Sequence, residues 1–290
     1  MSKKGMSTVQ VNEAESPSSS PMAEKQEYIG YTDIPSSWAG RKKLRVLIPT
    51  CAFYFLFTFL TTVTVPTFQQ LQEVYKASYA QINYSVAIPA LSLAISPLFW
   101  TPFADIYGRR IVCIAGCALA FGASIGSALV KTYAGYMVLR FLQGWGAGPA
   151  STVGLQMLQD IYSELERGEK IGYWTAAIDL GLLFGPLLGG FAAIPSYVWP
   201  AWLTAILFGI LLISITTLMP ETAHSAYIDG FSTSFLNFKS IPRSQKTRLW
   251  TTTVNCFRMF AYPRVCLPVM FYCWTWYWVR TSIRSIRNIL

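Results

Sequence analysis

The sequence predicts an all-helical protein that crosses a membrane several times. Of its 290 residues, 53% are hydrophobic and only 13% are charged, and the mean hydropathy is +0.37. Uncharged runs long enough to cross a hydrocarbon core of about 30 Å, which takes roughly 20 helical residues, recur along most of the chain. Because backbone groups in lipid must pair within their own segment, these runs predict helices.

Six uncharged runs predict six spans, joined by short turns such as residues 131–135 and 194–199. The predicted spans are residues 46–65, 79–100, 111–130, 136–158, 171–193 and 200–219.

The chain divides into four predicted regions. Residues 1–40 are polar and rich in Ser, Pro and Glu, which predicts a disordered cytosolic tail. Residues 41–222 form the six-helix transmembrane domain, and residues 223–261 form a polar central loop that is too long for an ordinary turn. Residues 262–290 follow as a seventh segment.

Lysines and arginines predict the orientation. Seven precede the first span, two follow the second, two follow the fourth, and six lie between Lys239 and Arg264. The intervening loops hold only Lys76 and Lys131. This asymmetry is the positive-inside pattern, and it predicts a cytosolic N-terminus. It also explains the net charge of +9 by topology, without a nucleic-acid partner.

The seventh segment is shorter than a full span. Residues 265–279 are rich in Trp and Tyr, which favour membrane interfaces, and Arg280, Arg284 and Arg287 follow at helical spacing. If residues 265–279 crossed the membrane, these arginines would lie outside, against the pattern of the whole chain. We therefore expect a truncated seventh helix or an interfacial segment, in a sequence that was cut from a longer protein or misread at this point.

The sequence does not favour an enzyme. Its six cysteines mostly fall inside apolar segments and lack the spacing of a zinc site or a disulfide framework. His224 is the only histidine, and neither paired carboxylates nor a nucleophile with a base is found in the sequence. We expect neither a metal nor a cofactor.

The connection between the second and third spans reads P-F-A-D-I-Y-G-R-R. It contains Asp105, Gly108, Arg109 and Arg110. A turn with positive-inside arginines, and with an acid near a helix N-terminus, would explain these residues without a function.

The fourth span contains R-F-L-Q-G-W-G-A-G, with Arg140 and Gln143 inside the apolar run. Ionisable residues within a membrane usually mark a functional path. The structural alternative is that Arg140 extends to the headgroups from about one turn inside the boundary.

The fifth span contains G-L-L-F-G-P-L-L-G-G, directly after Asp179. Small residues at this spacing line helix interfaces, but a mid-span proline removes a backbone hydrogen bond and needs a further reason. Asp179 lies about nine residues into the span, where a carboxylate usually faces a water-filled path. It could exchange protons or pair with a cationic substrate, or it could be a neutral, hydrogen-bonded structural acid.

These three stretches, together with L-M-P-E-T at the end of the sixth span, resemble motifs of the major facilitator superfamily in order and in position. The fungal drug:proton antiporters, including polyamine transporters, are the most similar branch. The resemblance implies the N-terminal half of that fold and assigns a role to each motif. The implied site residues are Asp105, Gly108, Arg109 and Arg110 as a cytosolic latch; Arg140 and Gln143 in proton coupling; and Gly181, Gly185, Pro186, Gly189 and Gly190 as a hinge motif in the fifth helix.

The resemblance implies a plasma-membrane transporter of small organic molecules, such as drugs or polyamines, driven by protons through alternating access. The partners would be the lipid bilayer, protons and a small organic substrate, for which a cation is one candidate. A six-helix half cannot form the usual cavity by itself, so it could pair with a second copy through its exposed half-interface. The alternative is a truncated, non-transporting protein or a regulatory partner of a full-length transporter.

Overall fold

In the computed structural model, residues 38–220, 254, 258 and 262–289 are described, and their regular elements are helices and short 3-10 turns. The predicted tail before Trp38 and nearly all of the predicted central loop lie outside the described residues. The helices, in chain order, are α1 (Gly40–Thr62), α2 (Phe68–Tyr75), α3 (Tyr79–Tyr107), α4 (Arg109–Leu129), α5 (Tyr133–Ala147), α6 (Val153–Ile161), α7 (Glu164–Ala193), α8 (Trp199–Leu218) and α9 (Pro263–Ile289).

Five helices in the described part of the chain are long and apolar enough to cross a membrane: α1 with its extension, α3, α4, α7 and α8. They coincide with five of the six predicted spans. The helices alternate in direction, which gives the bundle two ends. We call the end where α1 begins and α3 finishes the basic end, and the other the opposite end.

The fourth predicted span is two consecutive helices instead of one. A 3-10 turn at Gly148–Ala150 separates α5, with 15 residues, from α6, with nine. Pro149 causes the break, because it has no N–H to donate to the carbonyl oxygen of Trp145. The Gly148 N–H bonds that oxygen, and Trp100 Nε1 of α3 donates to it over 2.9 Å.

Helix α1 lies at the centre of the bundle. In its most apolar stretch 67% of the residues are buried, against 22% in α3 and 22% in α7. Phe53, Phe59 and Leu60 of α1 are almost fully buried, as are Met157 of α6 and Phe208 of α8. The outer surfaces of α3 and α7 are therefore left to lipid or to another domain.

Helix α9 is a continuous helix of 27 residues, but its apolar part covers only Cys266–Thr275. Its described side chains between Leu267 and Trp278 are exposed. This apolar part is shorter than a membrane span requires. The truncated or interfacial role of the segment stays a prediction.

Candidate functional site

The latch motif lies at the basic end, where α3 passes into α4. Gly108 ends α3 with an N–H···O bond of 3.2 Å to Ala104, and α4 begins at the next residue. Its φ of 95° falls in the region that L side chains rarely adopt, so the abrupt change of direction requires glycine. Asp105 is an exposed residue in the last turn of α3.

The two arginines of the motif contact two different helices. Arg109 forms an ion pair with Asp160 near the end of α6. Arg110 donates from Nη2 to the carbonyl oxygen of Thr216, in the last turn of α8, over 2.6 Å. The start of α4 is thereby tied to the basic-end turns of both α6 and α8.

Asp160 was not singled out from the sequence. The available signal was that it is an acid at the end of the fourth predicted span, on the same predicted side of the membrane as Arg109 and Arg110. Only the fold shows which arginine it contacts.

Arg140 is buried inside the bundle, with 3% of its surface exposed. Its guanidinium donates to the Tyr136 hydroxyl from Nε over 3.0 Å and from Nη2 over 2.8 Å. Nη1 donates to the Leu60 carbonyl over 3.2 Å and to Gln143 Oε1 over 3.3 Å. This burial excludes the alternative that Arg140 extends to the headgroups.

Gln143 extends the same hydrogen-bonded network into α4. It is 1% exposed, and its Nε2 donates to Ser124 Oγ over 3.2 Å and to Ser127 Oγ over 3.1 Å. The network therefore joins α1, α4 and α5. Tyr136, Ser124 and Ser127 were missed in the sequence, although Tyr136 lies one helical turn before Arg140.

The hydrogen bonds that Arg140 makes with the described residues all go to neutral oxygen atoms. No acidic side chain lies within 4.0 Å of its guanidinium in the described part of the chain. The positive charge is thus spread over hydroxyl, amide and carbonyl dipoles and is not cancelled by a carboxylate.

Helix α7 packs three glycines of the hinge motif against α1 and the residue that follows it. A Cβ atom added to Gly181 or Gly185 would collide with the hydroxyl of Thr58 or Thr62, and one added to Gly189 would collide with the Val63 backbone. The Thr58 hydroxyl also donates to the Ile178 carbonyl over 3.0 Å. Close approach of the two backbones therefore explains three of the motif's glycines.

The remaining hinge-motif residues, Pro186 and Gly190, lie together with Asp179 outside the face of α7 that packs against α1. Pro186 and Asp179 are exposed, and a Cβ atom on Gly190 would meet open space. At 100° per residue, these three positions fall on one face of the helix. The structure thus places Asp179 on the outer surface of the described bundle, and not in the Arg140 network.

Comparisons with known proteins agree with this architecture. The family model described as Major Facilitator Superfamily matches residues 50–281. Quinidine resistance protein 3 of Saccharomyces cerevisiae is 32% identical over 167 residues, which are 56% of this chain and 24% of the relative. MFS antiporter QDR3 of Candida albicans is 34% identical over 166 residues, 57% of this chain and 24% of the relative. Multidrug transporter QDR2 of Candida glabrata is 30% identical over 70% of this chain and 36% of its own length.

Solved structures share the fold. The xylose transporter XylE of E. coli, in a partially occluded inward-open conformation, superposes with a TM-score of 0.58 at 16% identity, over 75% of this chain and 60% of that one. The human organic anion transporter MFSD10 gives a TM-score of 0.54 at 20% identity, over 68% of this chain and 52% of that one. The matched part of the chain spans only 24% to 36% of the length of the three curated relatives named above. With a family match over most of its length and the bundle geometry described above, this chain belongs to the Major Facilitator Superfamily.

Proposed function

We propose that this chain supplies the N-terminal half of a transporter that moves small organic molecules by proton-coupled alternating access. The buried Arg140 carries the proposal. Charged residues inside membrane helices are unfavourable, by up to about 2.5 to 3.5 kcal/mol at the helix centre on insertion scales, and Arg140, although nearer one end of its span, is buried. A leucine there would avoid that cost, so the retained charge favours a functional role over a purely structural one.

Arg140 and Gln143 are the proposed coupling residues. A fixed positive charge favours the ionised form of a carboxyl group in its field, and a shift of the guanidinium changes that preference. Because Arg140 is held by neutral groups, its field is not cancelled locally. Gln143 and the serines of α4 fix the orientation of the guanidinium.

Asp179 is the proposed proton or cation site. It is exposed on the face of α7 that does not pack against α1. On the outer surface of this bundle, that face is available to a second domain and to water between the two domains. A carboxylate there could bind a proton or a cationic substrate in turn.

The latch motif is proposed to lock the basic end, which we assign to the cytosol. The positive-inside pattern supports a cytosolic N-terminus, and we propose the plasma membrane as the location. Arg109 and Arg110 hold α4 to α6 and α8, and the exposed Asp105 is the motif residue that we propose to contact a second half.

Drugs are the proposed substrates, with polyamines as a second class of cation. The names of the relatives, quinidine resistance protein 3 and multidrug transporter QDR2, support a drug substrate. An organic cation would complement Asp179, the acid we place on the path. The direction consistent with an antiporter is export against inward proton movement.

Reconstitution tests the proposal. The purified chain is placed in proteoliposomes, a proton gradient is imposed, and accumulation of a cationic dye and of spermidine is followed. We expect paired copies of the chain to give accumulation that a protonophore abolishes, that Arg140→Gln removes and that Arg140→Lys partly retains. Lys131→Gln is the matched control, because Lys131 is an exposed cation in a turn at the opposite end.

Absence of proton-dependent flux, with the helical content intact, would refute transport by this chain alone. The regulatory alternative then predicts stable association with a full-length transporter. Co-purification of two differently tagged copies distinguishes self-association from a regulatory role.

A further inference from the structure

A small cavity lies at the opposite end of the bundle, between the end of α1, α2, the end of α4, the start of α5 and the start of α8. Six of its nine lining residues carry hydroxyl groups: Thr64, Thr67, Tyr75, Ser127, Tyr136 and Tyr197. Its volume available to water is about 20 Å³. We call it the hydroxyl cavity.

Thr64 has a buried hydroxyl that needs a partner. The residue is 5% exposed, and its Oγ1 atom makes no hydrogen bond within the described residues. Buried polar groups in folded proteins are nearly always paired, either with protein atoms or with ordered water. Thr64 is therefore a polar group that points to a small ligand in the cavity it lines.

Tyr136 has a hydroxyl hydrogen left to donate. Its oxygen already accepts two N–H groups of Arg140. Among the described residues, its own hydrogen is donated to no protein acceptor. Three of the other four hydroxyl groups are already used as donors: Thr67 donates to the Thr64 carbonyl over 2.8 Å, Tyr75 to the Val130 carbonyl over 3.2 Å and Ser127 to the Ser124 carbonyl over 2.8 Å.

A water molecule meets these requirements. A water needs at least about 10 to 15 Å³ of such volume and two to four polar partners, and the hydroxyl cavity offers both. Water can accept from Tyr136, exchange a hydrogen bond with Thr64, and donate to the free lone pairs of Thr67 or Tyr75. An organic molecule would not fit in this volume.

We propose that the hydroxyl cavity is a water-binding site that hydrates the buried charge of Arg140 through Tyr136. The site lies within one half of the fold, at the end away from the latch motif, and it is independent of the transport function proposed above. Its water would lie one hydrogen bond from the Tyr136 hydroxyl and two from the guanidinium. Hydration here lowers the cost of keeping an unneutralised arginine inside an apolar bundle.

Hydroxyl-radical footprinting of the full chain in lipid nanodiscs tests the proposal, because radiolysis of a bound water oxidises the side chains beside it. Tyr162 is the matched control: it is 6% exposed, against 4% for Tyr136, and it packs in the main hydrophobic core. We expect Tyr136 to be oxidised several-fold faster than Tyr162. Equal rates for the two tyrosines would overturn the proposal.

Substitutions at Thr64 provide the second measurement. Thr64→Val removes the hydroxyl while keeping the shape, so we expect the oxidation rate of Tyr136 to fall towards that of Tyr162. Thr64→Ser keeps the hydroxyl and should keep the rate. Tyr162, which is buried, also reports whether the fold is preserved, because unfolding would raise its oxidation rate. An unchanged Tyr136 rate in a folded Thr64→Val variant would also overturn the proposal, and if that variant misfolds, the comparison of Tyr136 with Tyr162 decides.

Discussion

Asp160, near the end of α6, forms an ion pair with Arg109, the first residue of α4. The pair joins two segments that are 51 residues apart in the sequence and holds the basic end of α4 against α6. Both side chains are partly shielded from solvent, with 13% of Arg109 and 34% of Asp160 exposed.

We expect Asp160→Asn to lower the melting temperature, because the partly buried Arg109 would lose its ion pair with Asp160. A double-mutant cycle with Arg109→Gln should give a coupling energy of about 1 kcal/mol, near the upper range for exposed pairs. Thermal unfolding in detergent measures it. The exposed Glu169–Lys170 pair is the control, and the same cycle there should show no measurable coupling. Equal coupling in the two pairs would contradict the structural role of Asp160.

Gly108→Ala should destabilise the protein by about 1 to 3 kcal/mol, because a side chain at a φ of 95° is strained. Gly40→Ala is the control, since a Cβ atom there meets nothing within 4 Å and the residue begins a helix. The melting temperatures of the two variants are compared. A Gly108→Ala variant as stable as Gly40→Ala would refute the conformational requirement.

Trp100→Phe should lower the free energy of unfolding by about 1 to 3 kcal/mol. It removes the indole N–H that donates a hydrogen bond to the Trp145 carbonyl at the break in the fourth span. Pro149→Ala restores a backbone N–H near that oxygen. In the Pro149→Ala background, Trp100→Phe should therefore lower the free energy of unfolding by less than it does in the otherwise unchanged chain. Additive losses of stability would show that the indole hydrogen bond does not compensate for the proline.

Gly185→Val should prevent correct packing of α7 on α1, since even its Cβ atom would collide with the Thr62 side chain. Gly190→Val should leave the fold intact, because its Cβ atom meets open space. Folded yield and helical content separate the two variants. If both behave alike, the two faces of α7 do not differ as described.

Asp179→Asn should keep membrane insertion and helical content but lose the proton dependence of transport, because an amide cannot exchange a proton in this pH range. Uptake measured with the proton gradient applied at several external pH values tests the prediction. Glu73→Gln is the control, since Glu73 is an exposed acid in α2 at the opposite end. Unchanged coupling in Asp179→Asn would remove that residue from the mechanism.

The spans were predictable because lipid imposes a simple requirement on composition: an apolar run of sufficient length must be a helix. The break in the fourth span was not predicted, because hydropathy does not register that Pro149 frees a carbonyl which Trp100 then satisfies. Pro186 shows the opposite outcome, since α7 continues through it. A proline in an apolar run therefore does not by itself predict where a helix divides.

Candidate site residues were predictable by type but not by partner. A charge inside an apolar run is visible in the sequence, which is how Arg140 and Asp179 were found. Their surroundings depend on helix packing: Arg140 is enclosed by Tyr136 and the Leu60 carbonyl, whereas Asp179 lies on the outer surface. The sequence by itself gives no reason to select Tyr136. The reason is its contact with Arg140, which depends on how the helices pack.

The contacts of Arg109 and Arg110 restrict how this half of the protein can move. Two consecutive side chains hold the first turn of α4 to α6 and to α8, so none of these three helices can tilt at the basic end without breaking a contact to a charged group. Small sliding motions between neighbouring helices are thereby disfavoured there. Any rocking motion must then move the basic ends of α4, α6 and α8 together, as one rigid unit.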